Sequence, residues 1–345
     1  MKIWVIPAVP NTPLRHRAAD IGLALGARRH EVTILCGERQ PGGLGAAGKL
    51  AWHLRQAFTV TRRRLAPNVT SLRLPSLPRW PALSLAYQSA CLALFARLAG
   101  VRAVVTQNTG EVRAPRGRRV RRAYDLPDDH MAGLELAGRG ADARRVRAFI
   151  AREVGGAAVA TASSRVLVGV LKKEFGREAL LVPNGTWVRR FRYPVAADFA
   201  ALRSRLALGA GPVIGFTGGL DEWMEAGLLI EAWRLVRQSR PTTQLQVVGD
   251  GSRAAELRAA GAGVVVTGFV APDAVPAHVA LFDVGVVPFA SNALTDAMLP
   301  IKVFDYAAAL LAALERGWRT DWDRAVDRYD WDNLVAPLEA ALGGS

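Results

Sequence analysis

Short runs rich in Val, Ile and Leu alternate along this chain with longer stretches whose apolar residues recur at helical spacing. Six such runs lie in the first half: KIWVI, EVTIL, VTSLRL, RAVVTQ, AVATAS and ALLVPN. Four more follow in the second half, each close to Gly or Pro: PVIGFTGG, QLQVVGDG, GVVVTGF and DVGVVPF. Strands separated by helices are typical of parallel βαβ units. The sequence therefore predicts an α/β fold with two doubly wound, Rossmann-like domains that face each other across a cleft.

The predicted domains meet near the middle of the chain. Its 345 residues are enough for two domains of ordinary size. The strand pattern stops at NGTWVRRFRYP (184–194), after which a new helix begins, so we place an N-terminal domain at 1–188 and a C-terminal domain at 189–325. Sheets of this kind bind ligands at the carboxyl ends of their strands. The chain has neither a Walker A loop nor a GxGxxG at its first strand, which disfavours a nucleoside triphosphate or nicotinamide as ligand.

The charge of the chain indicates an anionic partner. The net charge is +15, and the basic residues concentrate before residue 150, above all in TRRRL (61–65) and RAPRGRRVRRAYDL (113–126). Nucleic acid, lipid headgroups and phosphate-bearing substrates all remain possible partners, as does a merely solvated basic face. The aromatic residues are not interleaved with the arginines, so specific nucleic-acid binding is not expected. Cys36 and Cys91 support neither a disulfide framework nor a zinc site, and with no export signal at MKIWVIPAV we expect a cytoplasmic protein.

Two segments between residues 43 and 100 need a separate interpretation. In 43–65 helical spacing places apolar side chains on one face and basic side chains elsewhere: Leu44, Ala47, Ala51, Leu54 and Phe58, against Lys49, Arg55 and Arg62 to Arg64. Such a helix either lies in an anionic membrane interface or covers the first sheet. The later run PALSLAYQSACLALFA is shorter than the roughly 20 residues of a spanning helix. We interpret it as a helix on the sheet.

Several motifs of the second half occur together in an order that resembles a known family. GFTGGLDEWMEAGLLIEAW, LQVVGDGSR, VVVTGFVAPDAVPAHVALFDVGVVPF and LPIKVFDYAA resemble the nucleotide-sugar domain of group 1, family 4-like glycosyltransferases with the GT-B fold. NTPLRHRAADIGLALGARRHEVTIL is similar to the family's opening turn, helix and strand, with Arg29 in place of the usual Gly. YDLPDDH, ASSRVL and VPNG resemble a subgroup that acts in surface-polysaccharide or teichuronic-type assembly.

This resemblance implies an enzyme of the hexosyltransferase type. It would move a sugar from a nucleoside-diphosphate sugar to a lipid-linked or surface-polysaccharide acceptor, at the inner face of the plasma membrane. The nucleotide sugar is a co-substrate, and no other cofactor and no metal are expected. Two alternatives stay open: a nucleotide-sugar epimerase of the same fold, and a catalytically silent, membrane-associated scaffold.

The donor site is expected in the C-terminal domain. The Gly218-Gly219 turn lets the backbone approach a diphosphate at the head of a helix, where N–H groups favour anions. The resemblance implies that Lys302 points at the same phosphates, where a fixed cation stabilises the departing diphosphate. It also implies that Asp305, in place of the family's Glu, accepts hydrogen bonds from the ribose, and that the base lies against Phe269-Val270. The family's sugar-contacting glutamate is replaced by Ala297, which leaves the identity of the sugar open.

The acceptor side is expected in the N-terminal domain. Its candidate catalytic residues follow a strand in DLPDDH: Asp128, Asp129 and His130. In an inverting enzyme one of the acids is the general base, whereas in a retaining enzyme the donor phosphate takes the proton and the acids position substrate. The alternative is structural: adjacent acids also cap helices, and a histidine can cap or pack. The acceptor-binding candidates are Arg15, His16 and Asn184.

One segment departs from the family pattern. In LPIKVFDYAAALLAALERGW, at 299–318, a ligand-binding helix start continues directly into an Ala- and Leu-rich helix. Relatives place a turn and a strand there, so we predict an internal deletion after residue 309 that shortens the second domain. RYDWDNLVAPLEAAL resembles the family's closing helix, which implies that 326–345 crosses back to the N-terminal domain.

Overall fold

The computed structural model of this chain describes residues 1–8, 17–36, 45–75, 77, 81–107, 109–110, 112–192, 194, 198–221, 223–314 and 326–343. The chain forms two compact units. Unit 1 contains Met1–Pro183, Ala297–Leu299 and Leu334–Ser345, and unit 2 contains Asn184–Asp296 and Pro300–Asn333. The division falls between Pro183 and Asn184, whereas the sequence placed it between residues 188 and 189.

Unit 1 is built on eight strands: Lys2–Ile6 (β1), Glu31–Leu35 (β2), Thr61–Ala66 (β3), Val69–Arg73 (β4), Ala103–Thr106 (β5), Arg121–Leu126 (β6), Val159–Ala162 (β7) and Leu180–Leu181 (β8). They form one sheet in the order β3-β4-β2-β1-β5-β6-β7-β8. Neighbouring strands are parallel except at the edge, where β3 runs antiparallel to β4. Unit 1 therefore has an α/β fold, as the alternating pattern predicted.

Seven helices accompany this sheet in the described part of unit 1: Arg17–Ala27 (α1), Ala46–Phe58 (α2), Pro81–Leu98 (α3), His130–Leu136 (α4), Gly140–Gly155 (α5), Arg165–Phe175 (α6) and, near the C-terminus, Ala336–Gly343 (α15). The central strands are apolar on both faces, because helices cover them from both sides. Helix α3 adds Leu92 and Ala96 to the core around Trp4 and Val104. Helices α5 and α6 pack against Tyr124 in a second core cluster.

Unit 2 is smaller. Its strands are Val213–Thr217 (β9), Gln244–Val248 (β10), Val264–Val266 (β11) and Val284–Gly285 (β12). Its helices are Val188–Arg192 (α7), Phe199–Arg205 (α8), Ala226–Ser239 (α9), Ala254–Arg258 (α10), Val275–Val279 (α11), Ala293–Ala297 (α12), Ile301–Leu314 (α13) and Trp331–Leu334 (α14), the last residues of α12 and α14 lying in unit 1. The core packs Trp233 of α9 against Phe216, Leu245 and Val247 of the strands.

The strands of unit 2 are all parallel and lie in the order β11-β10-β9-β12. Counted from the first strand of the unit, this is the order 3-2-1-4. The doubly wound fold continues that order with a fifth and a sixth strand beyond the fourth. Within the described residues of unit 2, nothing pairs with the outer edge of β12.

The segment 43–65 differs from its predicted single helix. Helix α2 ends at Phe58, and Arg62, Arg63 and Arg64 belong to the edge strand β3. Leu44 lies outside the described residues. Three arginines in a row conceal an edge strand, because a strand exposed on both faces lacks the apolar alternation by which strands are recognised. Across the described ranges, no helix is long and apolar enough to cross a membrane.

The C-terminal helix α15 belongs to unit 1. Leu338 and Leu342 are buried there. Glu339 forms salt bridges with Arg28 and His30, which lie just beyond α1. These contacts join the end of the chain to the loop between α1 and β2.

Candidate active site

The glycine turn after β9 lies against the backbone of a neighbouring loop. Gly218 has φ 136°, which glycine adopts readily, and its N–H donates to the Val248 carbonyl at 3.0 Å. Gly249 approaches so closely that a Cβ built on it would lie 1.9 Å from the Gly218 oxygen. Helix α9 begins only at Ala226. The prediction that Gly218-Gly219 stands at the head of a helix is therefore wrong, because several loop residues intervene.

Lys302 provides the cation at this turn. Its Nζ would lie 2.8 Å from a Cβ built on Gly218, so the ammonium and the turn are close. The same Nζ lies 4.1 Å from the ring centroid of Phe216 and 4.8 Å from that of Phe289. Burial lowers the pKa of Lys302 to about 8, although the negative charge of Asp305 acts in the opposite direction. A partly desolvated cation of this kind interacts more strongly with a bound anion than a solvated lysine does.

Asp305 lies one helical turn after Lys302 on α13, and only 3% of it is exposed. Its Oδ1 accepts a hydrogen bond of 2.7 Å from the hydroxyl of Thr186. Thr186 also forms a β-bridge with Asp330, which ties the start of unit 2 to its end. The carboxylate thus serves at least one structural contact, while its role toward a ribose remains a prediction.

The predicted stacking surface follows β11. The ring of Phe269 is 70% exposed, whereas Val270 is partly buried against the core. A bridge between Gly249 and Gly268 holds this loop beside the one that contacts Gly218. The aromatic ring and the glycine turn therefore lie at the same end of the unit 2 sheet.

The acidic cluster of unit 1 follows β6. Asp129 is the N-cap of α4, where its Oδ1 accepts from the Ala132 N–H at 2.9 Å. Burial raises the pKa of Asp128, against the opposing effects of His130 and Arg17. Burial also lowers the pKa of His130, which favours a neutral imidazole. Asp129 thus has the capping function weighed from the sequence, while Asp128, whose raised pKa suits proton transfer, stays a candidate general base.

His130 has an unsatisfied polar atom. Its Nε2 is buried without a hydrogen-bond partner among the described residues. Buried polar atoms are rarely left unpaired in folded proteins, so this nitrogen is a position where a bound ligand can contribute a hydrogen bond. In the described part of the chain, the cluster does not form a group suited to hold a metal ion.

A buried ion pair lies at the end of the strand that precedes this cluster. Asp125, at the end of β6, is fully buried and accepts from Arg17 through both Nε and NH2, each at 2.7 Å. Gln107 donates to it at 2.7 Å and Thr161 at 2.5 Å. Arg17 also donates to the Pro183 carbonyl at 3.0 Å. A buried pair of this kind is stable only when its remaining hydrogen-bonding positions are filled, as they are here.

The remaining predicted acceptor residues are less informative. Asn184 is buried at the first position of unit 2. Arg15 and His16 lie outside the described residues, so their predicted contact with an acceptor stays a prediction.

Comparison with known proteins agrees with this geometry. Residues 211–314 match the family model described as glycosyl transferases group 1. That segment contains the glycine turn, Phe269, Lys302 and Asp305. No curated protein matches the chain in sequence.

Several solved structures resemble the chain in fold. WaaG, involved in lipopolysaccharide biosynthesis, superposes with a TM-score of 0.62 at 14% identity, covering 99% of this chain and 90% of that one. Alr3699/HepE from Anabaena in complex with UDP-glucose gives 0.60 at 14% identity, covering 99% and 95%. A trehalose-6-phosphate protein from E. coli bound to UDP-2-fluoro glucose gives 0.56 at 13% identity, covering 99% and 92%. The chain has the GT-B fold.

Three groups of the GT-B chain were missed from the sequence. Thr186 donates to Asp305, and the Tyr306 hydroxyl accepts from the Thr217 N–H at 2.8 Å. Phe216 and Phe289 set the environment of Lys302. The Arg17–Asp125 pair joins residues 108 positions apart. Some of these residues stand next to predicted ones: Tyr306 follows Asp305, Phe216 precedes the Gly218 turn, and Asp125 is part of YDLPDDH.

Proposed function

We propose that this protein is a glycosyltransferase that uses a nucleoside-diphosphate sugar as donor. The observation that carries the proposal is the pairing of a close-approach glycine turn with the partly desolvated ammonium of Lys302. The match of residues 211–314 to a glycosyltransferase family model supports it. UDP and UDP-glucose are bound by HepE, a protein of the same fold.

The donor roles follow from the geometry of unit 2. Lys302 binds the diphosphate and stabilises its growing negative charge as the bond between the sugar C1 and the phosphate oxygen breaks. Phe269 stacks on the base. Asp305 accepts a hydrogen bond from a ribose hydroxyl in addition to the one from Thr186. A carboxylate has about four lone-pair positions and can accept from more than one donor.

The acceptor role is assigned to unit 1. A hydroxyl of the acceptor forms the new bond to the sugar C1, and the nucleoside diphosphate leaves. If the configuration inverts, Asp128 takes the hydroxyl proton, and its raised pKa suits that task. If the configuration is retained, the donor phosphate takes the proton and Asp128 and His130 hold substrate. We propose a lipid-linked or surface-polysaccharide acceptor at an anionic membrane surface on the cytoplasmic side.

We also propose that unit 2 has lost a βα segment after residue 309. Its strand order 3-2-1-4 stops where the doubly wound order continues. The sequence holds only 11 residues between Leu314 and Val326, fewer than the roughly 16 that a strand and a helix of average length together need. The incomplete sheet favours a second candidate function, a scaffold that has kept the fold but lost turnover.

Two measurements separate these functions. Calorimetric titration with UDP and with GDP tests the donor site, with Lys302→Met as the variant and Lys173→Met, an exposed lysine on α6, as the matched control. Micromolar binding of one nucleotide that only Lys302→Met abolishes supports donor binding. Release of the nucleotide from UDP-glucose or a GDP-sugar, lost in Asp128→Asn, then supports the transferase. Binding without release supports the scaffold. A folded protein that binds neither nucleotide refutes the transferase and leaves the scaffold as the better account.

A further inference from the structure

Helix α2 presents its apolar residues to solvent. Leu50, Leu54 and Phe58 are 57%, 54% and 78% exposed. Their four-residue spacing places them on one face of the helix. The buried contact of this helix is made on another side by the small Ala57. A surface helix normally turns its apolar stripe toward the core, so this orientation requires a partner outside unit 1.

Exposed basic residues lie on the same helix and on the strand that follows it. Lys49 and Arg55 are exposed on α2, and Arg62, Arg63 and Arg64 are exposed on the edge strand β3 that follows it. From residue 39 to residue 110 the sequence has ten lysines and arginines and neither an aspartate nor a glutamate. The charge of this region is therefore not neutralised by acidic residues of the same segment.

The stripe and the arginines are held in a defined arrangement. The Tyr87 hydroxyl of α3 donates to the Ala57 carbonyl at 3.0 Å, which fixes the end of α2. Arg73 of β4 donates to the hydroxyls of Thr59 and Thr61, which fixes the turn between α2 and β3. These contacts make the surface part of the folded unit.

We propose that Leu50, Leu54, Phe58, Arg62 and Arg64 form a docking surface for an anionic phospholipid bilayer. Arg62 and Arg64 share one face of β3, because side chains alternate along a strand. An apolar stripe enters the boundary between headgroups and acyl chains, while guanidinium groups bind phosphate. Charge complementarity selects this occupant: a second copy of the chain would bring together two acid-free basic surfaces, which repel each other. These five residues are called the docking surface.

The junction between α2 and β3, next to Phe58 and Arg62, lies at the carboxyl edge of the sheet. Thr61, at the start of antiparallel β3, pairs with Arg73 at the end of β4. Asp128 and His130 follow β6 at the same edge, five strand positions away in the sheet order. At about 4.8 Å per strand this is about 24 Å. A lipid-linked acceptor in the bilayer is therefore delivered at the edge that carries the proposed base; this step rests on the proposed function, whereas bilayer binding does not.

The test is sedimentation with vesicles of phosphatidylcholine alone and with 30% phosphatidylglycerol, at about 50 mM and about 500 mM salt. The wild-type chain is expected to bind the vesicles with phosphatidylglycerol more tightly than those of phosphatidylcholine alone. This difference should become smaller at about 500 mM salt, because salt screens surface charges. Arg62→Gln with Arg64→Gln should weaken binding at low salt by about 25-fold, since each charge near an anionic surface contributes about fivefold. Leu54→Ser with Phe58→Ser should leave less than about a tenth of the binding.

Matched controls remove equal charge and equal apolar area elsewhere. Arg118→Gln with Arg119→Gln removes two exposed arginines from the loop before β6, and Leu228→Ser with Leu235→Ser removes two exposed leucines of α9. Both controls should bind vesicles as the wild type does. An equal loss in the arginine control would overturn the proposal in favour of unspecific charge attraction.

Two further outcomes also overturn it. One is wild-type binding that does not distinguish the two kinds of vesicle, and the other is a dimer in solution that Leu54→Ser with Phe58→Ser dissociates while no vesicles bind. UDP titration of the same variants keeps this inference distinct from the proposed function. Vesicle binding without UDP binding refutes the donor site alone, whereas UDP binding without vesicle binding refutes the docking surface alone.

Discussion

Replacing Lys302 with Met is expected to stabilise the protein at pH 7 while abolishing nucleotide binding. The pKa of this lysine is about 8 in the folded chain against an ordinary value of 10.5. Keeping its ammonium charged at pH 7 therefore costs about 3 kcal/mol. Cation–π attraction to the rings of Phe216 and Phe289 offsets part of this cost, by about 1 kcal/mol for each ring. We expect a net gain of about 1 to 3 kcal/mol in Lys302→Met.

The gain should depend on pH with a definite sign. Between pH 8 and pH 10.5 the unfolded chain holds a proton on Lys302 that the folded chain has lost. The wild type therefore becomes more stable, relative to the Met variant, as the pH rises through this window. Below pH 8 the advantage of Lys302→Met is complete, and by pH 10.5 most of it has disappeared.

Urea unfolding of both proteins at pH 7 and at pH 10, followed by near-UV circular dichroism, measures this difference. Lys173→Met serves as control, because its side chain is exposed on α6 and the pH dependence should equal that of the wild type. A Lys302→Met variant that is less stable than the wild type at pH 7, or whose gain is the same at both pH values, would refute the argument that burial destabilises the charged lysine.

Three other changes test separate parts of the structure. Asp128→Asn should lower the rate of transfer by at least about 100-fold, which initial rates measure. Because burial raises the pKa of the native carboxyl, the stability of this variant relative to the wild type should increase as the pH rises. Urea midpoints at pH 5 and pH 8 measure that difference. Gly249→Ala would place a Cβ 1.9 Å from the Gly218 oxygen, so UDP titration should show lost binding even where circular dichroism finds intact secondary structure. Burial raises the pKa of Glu339, but hydrogen bonds from Arg28 and a histidine outweigh it and hold that pKa below its usual range. Glu339→Gln should therefore destabilise unit 1 at pH 7, and thermal unfolding should show the difference vanishing as the pH falls through the native pKa of the carboxylate.

Strands were predictable where they are buried on both faces. KIWVI and QLQVV became β1 and β10 at the expected positions, because helices on both sides of a parallel sheet require apolar side chains on both faces. The edge strand TRRRLA was missed for the converse reason, since its exposed arginines satisfy no such requirement. RRAYDL, which begins with two arginines of its own, was not among the six apolar runs of the first half, and a strand was expected there only because the DLPDDH cluster follows it.

The candidate site was less predictable than the fold. The chain places Lys302 beside Gly218, yet these residues lie 84 positions apart, and only the family resemblance indicated their proximity. The desolvation of that lysine depends on Phe216 and Phe289, which no local pattern connects with it. Local signals did locate the DLPDDH cluster, because polar residues directly after a buried strand end are conspicuous. They did not distinguish Asp129, which caps a helix, from Asp128, whose pKa is raised by burial.

The membership of α15 in unit 1 bears on how this chain is synthesised. The strands of unit 1 are complete once residue 181 has left the ribosome, yet Leu338 and Leu342 belong to the same unit. Translation of the intervening residues takes on the order of 10 to 30 s. During that interval the nascent unit 1 exposes the apolar site that these two leucines later cover. A chaperone that protects nascent chains has its longest opportunity to act at this site, before the last helix replaces it.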